Sequence, residues 1–222
     1  MLYRICCLLM GYVCGLFQTG FFYGKLHGID IRSKGSGNIG TTNSLRVLGK
    51  KAGAIVLLGD AGKTVLAMLL AHFLFGKADP AMDMILQLYA GLGATLGHDF
   101  PFYMHFNGGK GIAVLAGMYV GVWITSSWIP FCIGFVLFFS IFFATHYVSA
   151  ASLSVSALFL VCIVALERTG RIAVESAAGR AELYILAAIV TVMAFVRHRE
   201  NIKRLLAGNE RKTYLSKKNK TD

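Results

Sequence analysis

The chain has 222 residues, 56% of them hydrophobic, and a mean hydropathy of +0.62. That excludes an ordinary soluble domain and predicts a single polytopic, all-α integral membrane domain over residues 1–222. The net charge of +11 is uneven. Nine Lys or Arg residues between Arg197 and Lys220 make 197–222 a basic tail suited to anionic lipid, and no basic–aromatic interleaving speaks for nucleic acid.

In chain order, Tyr3 to Tyr23 is the first predicted span. It runs on past its early Arg4 without a small-residue cleavage site, so it reads as a membrane helix rather than a signal peptide. A polar stretch from Gly35 to Arg46 follows, then a second apolar run, Ala52 to Gly76. Met84 to Gly97 is a third, shorter one. It leads into a second polar stretch, Gly97–His98–Asp99–Phe100–Pro101 through Asn107–Gly108–Gly109–Lys110–Gly111. Gly111 to Ser127 and Ile129 to Tyr147 read as a hairpin broken near Ser126, Ser127 and Pro130. Ala150 to Leu166 is the next span. Leu183 to Val196, again short, leads into the third polar stretch, Arg197–His198–Arg199–Glu200–Asn201–Ile202–Lys203–Arg204.

A run of 14 residues, such as 84–97 or 183–196, gives only ~21 Å of helix against a ~30 Å hydrocarbon core. Counting both gives seven transmembrane helices; five spans plus two short or re-entrant segments is the alternative. The loop between Lys25 and Lys51 and the tail are both basic, so both should be cytoplasmic. An odd number of spans then puts the N-terminus outside, the C-terminus inside, and all three polar stretches on the cytoplasmic face.

These stretches carry chemistry that an anchor does not need. Gly35, Gly37 and Gly40 permit tight-loop geometry, Ser36, Asn38, Thr42 and Asn43 supply donors and acceptors, and Arg46 offers a fork for phosphate. The plain alternative is a Gly/Asn turn that caps the next helix. Gly108–Gly109–Lys110–Gly111 precedes an apolar run, so free helix N–H groups and a nearby lysine could hold an anion. His198 and Asn201 are three apart and could share one helical face, flanked by Arg197, Arg199, Lys203 and Arg204; a basic helix on lipid headgroups is the competing reading. His98 is a further binding candidate, whereas His72 and His105 are read as non-functional.

Other chemistries find little support. Gly62–Lys63–Thr64 ends like a phosphate-binding loop, but Leu57 stands where the leading glycine belongs. Asp60 and Lys63, three apart inside a span, suggest a structural ion pair that supports the site. The five cysteines lie in apolar segments and read as packing residues. No metal-ligand array or haem motif occurs, so neither metal nor cofactor is expected. None of the six histidines has Asp five positions later, so the H-x4-D signature of common glycerolipid acyltransferases is missing.

Taken together, the three stretches resemble those of the bacterial acyl-phosphate:glycerol-3-phosphate acyltransferases, over nearly the whole chain. The family pattern G-S-G-N-x-G-x-T-N…R is matched from Gly35 to Arg46. G-H-x-F-P…G-G-K-G is matched from Gly97 to Gly111, and R-H-x-x-N-I-x-R-L-x-x-G-x-E from Arg197 to Glu210. Thr41, Thr64 and Asp99 depart from the usual residues.

The resemblance implies that Ser36 and Arg46 are essential and that Gly108, Gly109, Lys110 and Gly111 hold the phosphate of an acyl phosphate. It implies that His198 and Asn201 complete the site and that Glu210 is mainly structural. Gly37, Asn38, Asn43, His98 and Arg204 join them as expected substrate-binding positions. The implied reaction moves a fatty acyl group from acyl phosphate to the 1-hydroxyl of glycerol 3-phosphate, giving lysophosphatidic acid and phosphate. The expected setting is the bacterial inner membrane, with membrane lipid around a monomer. The donor is already activated, so direct transfer suffices; a Ser36 acyl-enzyme is the rival mechanism. The proton acceptor is either His198 or the donor's phosphate, with the phosphate ranked first. A small transporter for an anionic metabolite is the alternative function, although no internal repeat is visible.

Overall fold

A computed structural model describes residues 1–215; the rest of the basic tail, 216–222, lies outside the described residues. The first apolar run is two helices, α1 (Leu2–Gly15) and α2 (Thr19–Leu26), broken at Leu16–Gln18. Next come α3 (Thr41–Leu48) and α4 (Lys50–Ala71), which continues through a π-turn over His72–Gly76. α5 (Pro80–Asp99), α6 (Ile112–Thr125) and α7 (Ile129–Thr145) follow. The last helices among the described residues are α8 (Val148–Arg168), α9 (Ala177–Arg197) and a short α10 (Arg199–Leu206). The described residues contain no strand.

Each of the seven expected segments is helical, but their lengths differ from expectation. The two shortest candidates are full helices: α5 has 20 residues and α9 has 21, about 30 Å each. Polar residues near their starts had masked this, and the structure pairs them. Asp83 meets His72 Nδ1 at 2.9 Å, and Gln87 accepts from Thr125 at 2.9 Å. On α9, Glu182 accepts from Arg4 Nη2 at 2.7 Å and from Tyr89 at 2.8 Å. Ser176 caps α9 by accepting from the Gly179 amide at 2.9 Å. The shorter helices are α6 and α7, with 14 and 17 residues. Among the described residues, four segments are long and apolar enough to cross a membrane: 2–26, 50–76, 148–168 and 177–197.

α5 is the central helix, buried along most of its length. It meets α1 backbone to backbone. A Cβ on Gly11 would lie 2.0 Å from the Ala90 carbonyl oxygen, and one on Gly15 2.3 Å from that of Ala94. Gly93 and Gly97 face α1 in the same way, at 2.1 Å from the Leu8 and 2.2 Å from the Tyr12 carbonyl oxygens. Glycines four apart on both helices remove the side chains that would hold them off, which is how apolar helices associate in lipid. Gly117 of α6 likewise makes room for Ala61 and Thr64 of α4. A core of Leu88, Met118, Phe159 and Leu183 joins α5, α6, α8 and α9. Large apolar residues such as Phe135, Val136 and Phe143 stay on the outside.

The break between α1 and α2 is braced from α4. Lys63 Nζ donates to the freed carbonyls of Gly15 (3.1 Å) and Phe17 (2.6 Å). Asp60 lies 3.0 Å from that ammonium and accepts from the Thr19 hydroxyl at 3.0 Å. The expected Asp60–Lys63 pair therefore exists, buried, and it holds a bend in the first span.

Candidate active site

The first polar loop is built around one side chain. Asn43, buried at the start of α3, accepts from the Ser36 amide at 2.8 Å. It donates to the carbonyls of Lys34 (3.0 Å) and Ile31 (3.2 Å). Gly35 and Gly37 adopt φ of +60° and +72°, the left-handed region that favours glycine. Asn38 accepts from the Gly40 amide at 2.9 Å and closes the turn into α3. Ser36 is left exposed, and its hydroxyl has no hydrogen-bond partner among the described residues. Asn43 was expected to bind substrate; the structure shows its amide occupied within the loop, so it is a scaffold.

The second loop is held differently. The Gly108 amide donates to the Asp99 carbonyl and that of Gly109 to the His98 carbonyl, both at 3.0 Å. These two N–H groups, expected to face an anion, are thus occupied by the end of α5. The glycines serve close approach: a Cβ at 108 would lie 2.0 Å from the His98 oxygen, and one at 109 2.0 Å from His98 Nε2. Gly111, at φ +73°, starts α6. Arg197 clamps the loop from α9, donating through Nη2 to the Gly109 carbonyl at 2.7 Å and through Nε at 3.1 Å. Neither Asp99 oxygen has a hydrogen-bond partner among the described residues; Arg197 Nε is 3.8 Å away.

His98 also departs from its expected role. It lies behind the loop, 2% exposed, with Nδ1 3.0 Å from Lys63 Nζ. An ammonium can only donate, so Nδ1 accepts and the proton of the neutral ring sits on Nε2. Gln18 Nε2 donates to the carbonyls of Gly97 (3.0 Å) and His98 (3.1 Å). His98, Lys63 and Gln18 therefore prop the loop rather than face the open side. Gln18 was missed in sequence, although a lone amide inside an apolar run is itself a signal.

The remaining candidates converge on Glu210. This carboxylate accepts from Asn201 Nδ2 at 2.6 Å, Arg204 Nε at 2.7 Å and the Ser149 hydroxyl at 3.0 Å. Lys110 Nζ donates in turn to Asn201 Oδ1. Arg46, Lys110 and His198 all lie within electrostatic reach of Glu210. Burial and the nearby Arg204 charge pull the Lys110 ammonium below its ordinary value. Arg46 is lowered by burial and by Arg211. His198, 4% exposed, donates from Nδ1 to the Ala194 carbonyl at 2.7 Å, which leaves Nε2 as an acceptor. Burial, opposed by that hydrogen bond, pulls His198 down to about 4, so the ring is neutral near pH 7.

The chain turns at Gly208 and returns across this group. Arg211 Nη1 donates to the Gly35 carbonyl at 3.4 Å, and the Thr213 amide donates to the His146 carbonyl at 2.9 Å. Five candidates, Arg46, Lys110, His198, Asn201 and Arg204, thus surround Glu210. Ser36, Gly37 and Asn38 lie on the adjoining loop. Cationic groups whose charge exceeds that of their single carboxylate partner, beside a glycine-turned loop, suit an anionic ligand.

A bundle of apolar helices, with the basic loop and the three polar stretches gathered at one end, defines the class as a multi-pass membrane protein with an anion-suited site. Residues 5–208 match the family model for glycerol-3-phosphate acyltransferase, and the chain belongs to that family. A relative from a Bradyrhizobium species, named glycerol-3-phosphate acyltransferase, is 40% identical over 92% of each chain. One of the same name from Geobacter sulfurreducens is 36% identical over 90% of this chain and 93% of its own. The crystal structure of PlsY, an integral membrane glycerol 3-phosphate acyltransferase, in its glycerol 3-phosphate form superposes with a TM-score of 0.79. It is 32% identical and covers 95% of this chain and 96% of its own. The lysophosphatidic acid form of PlsY gives 0.77 at 30% identity.

Proposed function

We propose that the protein transfers a fatty acyl group from acyl phosphate to the 1-hydroxyl of glycerol 3-phosphate. The products are lysophosphatidic acid and phosphate. The observation that carries this reading is the gathering of Arg46, Lys110, His198, Asn201 and Arg204 around Glu210 beside the Ser36 loop. Two anions must be held together for this reaction, and a surplus of half-buried positive charge offsets their repulsion.

The hydroxyl oxygen bonds to the acyl carbonyl carbon, the carbon–oxygen bond to phosphate breaks, and the electron pair leaves with phosphate. Lys110 stabilises the charge on that leaving group. The hydroxyl proton passes to the donor's own phosphate. His198 is the rival acceptor, but a ring held at about 4 is a weak base, whereas the donor's phosphate gains negative charge, and with it basicity, as the bond to the acyl carbon breaks. Ser36 positions substrate rather than carrying the acyl group, since its hydroxyl has no base beside it among the described residues. No cofactor takes part.

The site faces the cytoplasm of a bacterial inner membrane, on a monomer with seven spans and an external N-terminus. In a cysteine-free background, Lys50→Cys should resist an impermeant thiol reagent in intact cells, and Ala78→Cys should react. The reverse pattern overturns the orientation. For the activity, purified protein is incubated with glycerol 3-phosphate and either acyl phosphate or acyl-CoA. Lysophosphatidic acid from acyl phosphate alone is the expected result. Comparable turnover with acyl-CoA refutes the donor assignment. Flux of glycerol 3-phosphate into sealed vesicles without any acylation would favour the transporter.

A further inference from the structure

The turn that follows α5 is closed in its backbone and apolar on its surface. Each amide from Met104 through Gly109 donates within the protein. Met104 and Phe106 donate to the Pro101 carbonyl, His105 to Phe102, Asn107 to Met104, Gly108 to Asp99 and Gly109 to His98. Tyr103 donates its hydroxyl to the Leu16 carbonyl, at the α1–α2 break, at 2.6 Å. Met104 is buried and packs with Phe21, Ile31 and Ile39. Yet Phe102 and Phe106 are each 59% exposed. A loop in water can leave its amides to solvent; a segment that meets lipid must satisfy them internally.

Phe106 sharpens the point. It follows His105 in left-handed backbone, at φ of +57° and +51°. Glycine holds that conformation without the clash of a Cβ. The turn alone would form more easily with glycine, so what position 106 supplies is the ring.

The turn also lies at the depth of lipid. Asp83, paired with His72 towards the other end of α5, and Asp99 are 16 residues apart, 99 less 83, which is ~24 Å of helix. A ~30 Å hydrocarbon core that starts at Asp83 therefore reaches past Asp99 to the turn. On α4, Lys63 touches His98, and the helix begins 13 residues away at Lys50, 63 less 50, another ~20 Å in the same direction. The turn is thus set back on the flank of the bundle, not at its tip. Cations border it: Lys25 Nζ is 4.6 Å and Arg32 Cζ 5.0 Å from the centre of the Phe21 ring, against which Met104 packs. Exposed rings inside a border of cations suit the boundary between acyl chains and anionic headgroups.

We propose that the 102–107 turn is a lipid-binding wedge. Phe102 and Phe106 sit in the leaflet on the side of the three polar stretches, at the boundary between acyl chains and headgroups, and fix how deep the adjoining loop lies. This placement is independent of the reaction assigned above.

The test uses single tryptophans in the full chain, with Trp123→Phe and Trp128→Phe as background, in vesicles of phosphatidylethanolamine and phosphatidylglycerol. F106W is compared with K203W on the exposed face of α10 and with F135W on the outside of α7. Nitroxide lipids quench from the headgroup, from high on the acyl chain or from its end; iodide quenches from water. F106W should be quenched most by the label high on the chain. Its quenching by iodide should be at least about threefold weaker than that of K203W, as for an interfacial aromatic ring. F135W should respond to the chain labels and not to iodide.

Iodide quenching of F106W equal to that of K203W puts the turn in water and overturns the proposal. Shielding from iodide and from every lipid label means that protein covers the turn, such as a second copy of this chain, and overturns it equally. Strongest quenching by the chain-end label overturns the boundary depth. If F106W does not fold, F102W, at ordinary backbone, carries the same test with the same outcomes.

Discussion

The two glycine-rich loops at the site use glycine for opposite reasons. In the first, Gly35 and Gly37 occupy left-handed backbone, and the loop stands open above Asn43 with Ser36 at its surface. In the second, Gly108 and Gly109 have negative φ, and what they supply is space, because the end of α5 lies where their side chains would be. The first loop is therefore a conformation carried by one buried amide. The second is a close-packed joint from which only Lys110 reaches the polar cluster. Glycine count does not distinguish a cradle from a joint; the destination of the amide hydrogens does.

The sharpest break of this contrast is Gly109→Ala. Its Cβ would meet the His98 ring at 2.0 Å, and that ring is fixed by Lys63. Overpacking of this kind costs roughly 1–3 kcal/mol and displaces the loop. Activity should fall at least about a hundredfold, and the detergent melting temperature should drop with it. Gly37→Ala meets only the Arg32 carbonyl oxygen, at 3.2 Å. Its cost is the left-handed backbone, about 1–2 kcal/mol, with a smaller loss of activity. Equal effects of the two alanines would erase the contrast.

Removal of a working side chain should affect rate without stability. Lys110→Ala should weaken use of acyl phosphate by more than tenfold, about 1.4 kcal/mol or more, with an unchanged melting temperature. Ser36→Ala should also lower turnover severely, and acyl phosphate alone should give no phosphate burst with the wild type. An acyl group on residue 36 in the intact mass would refute direct transfer.

Asn43→Ala probes the scaffold of the first loop. It removes the acceptor of the Ser36 amide and the donor to two carbonyls. The destabilisation should be about 1–3 kcal/mol, and the melting temperature should fall where Lys110→Ala leaves it untouched. A stable but inactive Asn43→Ala would instead return Asn43 to substrate binding.

The smallest expected effect is a pH slope. His198 is lowered to about 4 from an ordinary 6.5. Between those values the unfolded chain binds the extra proton, so the stability from this group is complete above about pH 6.5 and declines as pH falls to about 4. His198→Gln should flatten the corresponding part of a melting-temperature profile between pH 4 and 7. An unchanged slope would show that His198 is not held neutral by its burial.

Much of this was legible in the chain. The apolar runs gave the helices, and the order of the three polar stretches gave the family and most of the cluster. What was hidden depended on contacts between distant segments. Asp83, Gln87 and Glu182 look like span-ending residues until His72, Thr125 and Arg4 are seen against them. His98 reads as a ligand until Lys63, 35 positions earlier, is found on its Nδ1. The α1–α5 contact was present as two small-residue spacings, Gly11 with Gly15 and Gly93 with Gly97, but neither names its partner.

That α1–α5 contact also sets a timetable for biogenesis. Gly11 and Gly93 are 82 residues apart in the chain, 93 less 11. At about 5–20 residues per second of synthesis, the first helix waits roughly 4–16 s in the bilayer before its partner exists. During the wait its glycine face is open to lipid. The kink at Leu16–Gln18 lacks first Lys63 and then the Gly97 carbonyl that will complete it. The nascent first span is thus a half-finished joint until α5 has been made.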